Sequence, residues 1–174
     1  EMSASLVGSE MCIRDSSYCQ DNEISWIDWS LLEKNKDLFE FFKFMIDYRK
    51  KHPVIRKKLD NAVCGMEAMH AHDVNAERME VPQNAKTLAV SFAGYDRKKG
   101  KDDLVYVAVN AYWEEVKITL PNLTNHGAWY LSVDTYGDEK GKYFYQEGEE
   151  IRIDREYVMK PRSIVVFTGR EILR

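Results

Sequence analysis

The chain has 174 residues, 44% hydrophobic and 31% charged, which suits one well-cored globular domain with an extra element. It is too short for a complete (β/α)8 barrel. A formal net charge of −4 and a pI near 5.6 give no basic footprint for nucleic acid or an anionic membrane.

Residues 1–16 follow no regular period, and Val7-Gly-Ser-Glu-Met-Cys-Ile-Arg-Asp-Ser16 looks like translated adapter sequence. This stretch is expected to be a non-native, disordered tail. The next stretch, Tyr18 to Trp29, is dense in groups that bind sugars. Tyr18, Trp26 and Trp29 offer aromatic faces, and Gln20, Asp21 and Asn22 offer clustered donors and acceptors. Ser30-Leu-Leu-Glu33 reads as a capping box opening a short helix. A second start follows at Asn35, with Asp37 in the first turn. From Leu38 to Tyr48 the apolar residues are too many for one stripe, as in a helix covered on more than one side. Arg49, Lys50 and Lys51 suit its last turn, and Pro53 ends it.

After Arg56-Lys-Lys58 the period changes from 3.6 to 2. Strands are expected at Val63–His70, Thr87–Ala93, Asp103–Ala111, Glu115–Leu120, Trp129–Val133, Glu149–Ile153 and Arg162–Thr168. Turn material separates them, including Gly94 to Gly100, Pro121-Asn122, Asn125 to Gly127 and Gly137 to Gly141. This spacing indicates a mainly β protein with an antiparallel sandwich or barrel. Leu104 to Val109 reads as a central strand covered on both faces. In Glu115 to Leu120, Val116, Ile118 and Leu120 face inward.

Several constellations invite chemistry. His70 and His72 would share one strand face as a cupin-like metal pair, but no third ligand of known spacing follows. Edge-strand histidines are the default reading, and no metal or cofactor is expected. Tyr112, Trp113, Trp129, Tyr130, Tyr136, Tyr143, Phe144 and Tyr145 include the makings of a sugar platform, although strand aromatics more often fill a core. The carboxylate pairs Asp102/Asp103, Glu114/Glu115 and Glu149/Glu150 read as solvated, and none has the buried setting of a glycosidase acid. Cys12, Cys19 and Cys64 form no disulfide framework or metal spacing, so reduced thiols and a cytoplasmic location are expected. Nothing near Cys64 would activate it. No run approaches the ~20 apolar residues of a membrane span.

Tyr18-Cys-Gln-Asp-Asn-Glu-Ile-Ser-Trp-Ile-Asp-Trp29 resembles the segment after the last barrel strand of isoamylase-type glycogen debranching enzymes, in the α-amylase superfamily. The likeness continues through Leu38 to Tyr48 and Arg49-Lys-Lys-His52-Pro53. It runs on in Leu104 to Trp113, Leu120-Pro121, Trp129, Asp134-Thr135 and Pro161 to Val166. The resemblance implies an antiparallel Greek-key β-sandwich over 57–174, preceded over 17–56 by the last loop and helix of a truncated barrel. It implies a parent that is a retaining α-1,6-glucosidase acting on glycogen or limit dextrin. The catalytic Asp, Glu and Asp of that family lie upstream of this stretch, so the chain alone is expected to be inactive. By position, Tyr18, Gln20, Asp21 and Asn22 would contact substrate. With the barrel missing, the apolar face of Leu38 to Tyr48 is expected to self-associate or to collapse onto the sandwich. The rival readings are a stand-alone carbohydrate-binding module and a cupin-like metalloenzyme.

Overall fold

The computed structural model describes Trp26, residues 28–76, Pro82, and residues 85–124, 127–139 and 141–170. The chain divides into two compact units, residues 1–40 and 41–174.

The first unit contains helix α1 (Leu31–Lys34) and the opening turn of α2 (Lys36–Lys51). The expected capping box does not form. Ser30 sits at φ −65° and ψ −22°, already helical, and makes no side-chain cap. Its N–H and hydroxyl instead donate to Asp28 Oδ1 at 2.9 and 2.5 Å. Those bonds hold the Asp28 carboxyl below its ordinary range. Every residue of α1 is exposed.

In the second unit, α2 runs on to Lys51, and Pro53–Ile55 form a 3₁₀ turn. Among the described residues, eight strands follow: β1 (Met69–His72), β2 (Thr87–Asp96), β3 (Lys101–Asn110), β4 (Val116–Thr119), β5 (Ala128–Asp134), β6 (Ile151–Ile153), β7 (Glu156–Met159) and β8 (Ser163–Arg170). Six build one antiparallel sheet in the order β1-β2-β3-β8-β5-β6, and β4 pairs with β7 in a second.

Alternation along the central strands sorts side chains onto two faces. Leu104, Tyr106 and Ala108 of β3, with Val165 and Phe167 of β8, pack with Trp129, Leu131, Ile118 and Met159. This inner core lies between the six-stranded sheet and the β4–β7 pair. The odd residues Val105 and Val107 turn to the other face and meet Val166, Val133, Tyr48, Phe41, Phe44 and Phe144. The expected coverage of Leu104 to Val109 on both faces therefore holds, as does the inward setting of Ile118 and Leu120. A β-bulge in β5 shifts the register between Leu131 and Val133. The extra residue, Ser132, joins Val133 on the helix side.

The strand boundaries differ where a side chain captures the backbone. Residues 63–68 lie outside β1, because Asp102 accepts the Val63 and Cys64 N–H groups at 2.9 and 2.8 Å. Gly94 does not end β2. A Cβ there would stand 2.7 Å from Leu59 Cβ, so the missing side chain admits Leu59 and the strand continues to Asp96. Strand β7 lies where no strand was expected.

Candidate functional site

The expected substrate contacts Tyr18, Gln20, Asp21 and Asn22 lie outside the described residues. Of the same stretch, Trp26 and Trp29 are described, and both indoles are exposed.

In the second unit, a cavity of about 360 Å³ opens between α2 and the sheet, lined among others by Phe44, Tyr48, His52, Asp103, Ser132 and Thr168. Helix α2 presents Phe44 and Tyr48 on one face, with His52 following its last turn. The Tyr48 hydroxyl bonds Thr168 Oγ1 at 2.8 Å, and Thr168 bonds Ser132 Oγ at 2.8 Å. Burial raises the Tyr48 phenol well above its ordinary value, so it stays protonated. His52 Nδ1 donates to Asp103 Oδ1 at 2.6 Å, and the Val54 N–H donates to Asp103 Oδ2 at 3.1 Å. Arg170 pairs with Glu150 at the rim.

The reading of Asp102/Asp103 and of Glu150 as solvated is thus corrected: both aspartates and the Glu150 side chain are buried. The aspartates open a strand whose next residues, Leu104 to Val109, are apolar or aromatic, which hints at burial but not at where their partners lie. Asp102, Asp103 and Glu150 each hold backbone amides or a cation. The cavity is a joint between helix and sheet.

His70 and His72 do share a face of β1, with rings 4.7 Å apart. His72 is committed on both sides, with Nδ1 donating to Ala76 O at 3.2 Å and Nε2 accepting from Ser91 Oγ at 2.8 Å. Burial lowers its pKa, so it is neutral at pH 7. His70 bonds Glu67 at 3.0 Å. Among the described residues, no cluster of three or more ligand side chains forms. Cys64 is buried, and burial pushes its thiol up, away from the reactive thiolate.

The aromatic set separates. Trp129 is a core residue whose indole N–H donates to Pro121 O at 2.8 Å, and Tyr145 is buried. Tyr143 is at the surface, so Tyr143 and Tyr145 do not make a two-ring platform. Tyr112 and Trp113 remain together after β3, with ring centroids 4.1 Å apart. Lys86 Nζ stands 3.7 Å from the Tyr112 ring centre, and Trp113 is 65% exposed.

Sequence reasoning missed the residue that shapes this ledge, Asn110. It is buried, donates to Glu114 O and Lys160 O, and accepts the Tyr112 N–H. An asparagine at a strand end, bonding the amide two residues on, was the available signal.

Residues 65–168, more than half of the chain and most of the eight-stranded region, match the family profile described as isoamylase, C-terminal. The chain belongs to the isoamylase C-terminal family. This isoamylase C-terminal chain is 42% identical over 52 residues to the glycogen operon protein GlgX homolog of Mycobacterium bovis, covering 30% of the chain and 7% of the relative. It is 28% identical over 122 residues to isoamylase 3, chloroplastic, of Oryza sativa subsp. japonica, covering 70% and 14%. In structure it is similar to pullulanase type I from Bacillus subtilis complexed with maltose, with a TM-score of 0.56 and 20% identity over 87% of the chain and 18% of that protein. The pullulanase of Bacillus acidopullulyticus gives a TM-score of 0.54 at 21% identity, over 88% and 16%. These two likenesses show the mainly β, antiparallel fold. The isoamylase C-terminal chain spans 7% and 14% of the two curated relatives. Among the described residues, no helix is long and apolar enough to cross a membrane.

Proposed function

We propose that the chain is the C-terminal part of a cytoplasmic glycogen debranching enzyme that hydrolyses α-1,6-glucosidic branches of glycogen or limit dextrin. The observation that carries this reading is the joint at α2, within a chain of the isoamylase C-terminal family. Tyr48, His52 and Val54 are fixed to Thr168 and Asp103 by buried hydrogen bonds. A β domain that grips one helix this firmly serves as a brace for whatever that helix supports. In this reading the helix belongs to the catalytic barrel, and Tyr18, Gln20, Asp21 and Asn22 face its sugar cleft.

Retaining hydrolysis needs two carboxylates about 5–5.5 Å apart, one acting as acid and one as nucleophile. Asp102, Asp103 and Glu150 are each engaged in the fold. The chain alone is therefore proposed to have no turnover. Incubating it with pullulan or limit dextrin should release no reducing ends. Turnover abolished by a carboxylate substitution within 41–170 overturns the reading.

A second reading, direct glucan binding by the β domain, is favoured by Tyr112 and Trp113. Glycogen in a native gel should retard the chain, and Trp113→Ala should restore its mobility. Equal mobility with and without glycogen removes this reading and leaves the brace.

A further inference from the structure

A second groove, of about 780 Å³, lies between the segment leaving α2 and the β2–β3 turn. Eight cationic side chains and two carboxylates line it, a local excess of six positive charges in a chain of net charge −4. Four of the cations have structural work. Arg97 pairs with Asp60, and Lys51 pairs with Asp47 at 3.1 Å. Arg56 donates to Lys50 O at 3.3 Å and Lys99 to Lys51 O at 2.5 Å, covering carbonyls at the negative end of α2. Lys50, Lys57, Lys58 and Lys98 are exposed, and none forms an ion pair among the described residues. Capping the helix does not account for these four.

Both walls of the groove are held. Pro53 O accepts the Arg56 and Lys57 N–H groups at 2.9 and 3.1 Å. Across from them, Asp96 Oδ1 accepts the Lys98 N–H at 2.9 Å, and its carbonyl accepts those of Lys99 and Gly100 at 3.1 and 2.8 Å. Gly100 takes φ +65° to close that turn. The Tyr95 N–H to Asp60 O bond, at 2.9 Å, joins the walls. Like charges are thus brought together on a fixed frame, where a bound anion would relieve their repulsion.

We propose that this groove binds a phosphate monoester. A lysine ammonium binds phosphate as a point charge, and a monoester carries ~1.5 to 2 negative charges at neutral pH. The volume suits a small ligand or one sugar unit, and the acidic net charge disfavours a long nucleic acid. The group arrives on a free sugar phosphate or as an ester on a glucan chain. The site does not depend on the debranching reading.

Titration calorimetry on the whole 174-residue chain tests it at low salt. Glucose 6-phosphate should bind, glucose should not, and added sodium chloride should weaken the binding. The double variant Lys57→Ala/Lys98→Ala should lose about tenfold or more in affinity. Lys117→Ala, a lysine paired with Glu156 elsewhere on the surface, should lose nothing. A parallel arm uses amylopectin carrying phosphate esters, before and after phosphatase treatment. Binding of glucose 6-phosphate alone assigns the site to a free metabolite. Binding of the esterified glucan, lost on phosphatase treatment, assigns it to the polymer. No binding in either arm, or equal affinity in the double variant, overturns the proposal.

Discussion

The two faces of the six-stranded sheet are covered in different ways. On the inner face, strand residues meet strand residues, and β4 and β7 close a core of Trp129, Tyr106, Phe167, Leu104 and Met159. On the other face, one helix covers the sheet, with Phe44 and Phe144 stacked at 4.6 Å between ring centres. Each face buries a tyrosine. The Tyr48 hydroxyl bonds Thr168, whereas the Tyr106 hydroxyl is buried with no hydrogen-bond partner among the described residues. The inner face supplies apolar burial, which is strong and undirected. The helix face adds directed polar bonds that fix where the helix sits.

The largest effect is expected on the inner face. Trp129→Ala removes the largest fully buried side chain and orphans Pro121 O, and should cost about 3–5 kcal/mol. Urea denaturation measures the loss, and a cost below ~1 kcal/mol would deny this core its leading role. On the helix face, Asp103→Ala leaves the His52 and Val54 donors unpaired, at about 1–3 kcal/mol. Its signature is local: hydrogen exchange should speed up in α2 and the 3₁₀ turn and stay slow in β3 and β8. Uniform acceleration would mean that the joint is part of the general core. The two tyrosines sharpen the contrast. Tyr48→Phe should destabilise by about 1 kcal/mol, and Tyr106→Phe by less than about 0.5. Equal costs would erase the distinction between the faces.

The inner face was legible in the sequence because alternation is a local signal. Val116, Ile118 and Leu120 gave their direction away, and so did Leu104 to Val109. Strand β7 was missed because Glu156 to Met159 is short, and only Met159 of it is buried. The joint was illegible for a different reason. Asp102 and Asp103 reach partners 38 to 51 residues away, and no local pattern announces such pairs. The same holds for Gly94, a turn residue by composition that is a strand residue because Leu59 occupies its side-chain space. The excess of apolar residues in α2 was readable. Phe41, Phe44, Met45 and Tyr48 account for one side of it, packed on the sheet.

The rest of that excess is exposed: Leu38 and Phe39 in the first unit, and Phe42 and Ile46, 58% and 56% accessible, in the second. In the isolated chain the side bearing Phe42 and Ile46 should bury itself against a second copy. Sedimentation velocity should show a concentration-dependent dimer, and Ile46→Glu should leave a monomer. A monomer before the substitution would show that the helix tolerates the exposure.

The smallest effect expected is a slope of stability against pH from His72, on the sheet edge beside the inner core. Its ring lies 5.5 Å from Tyr106, with His70 and Glu67 as its titratable neighbours. Burial sets its folded pKa below the ordinary 6.5, and it is held neutral between Ala76 O and the Ser91 hydroxyl. Below about pH 6.5 the unfolded chain therefore takes up a proton that the folded chain resists. The stabilisation is complete above 6.5 and is lost as the pH falls through the folded value. Urea midpoints measured between about pH 7.5 and 5 should decline less steeply in His72→Gln than in the parent, a difference that cancels the other titrating groups. Parallel declines would mean that His72 takes up its proton as readily in the fold as outside it, and that burial beside β2 does not reach its ring.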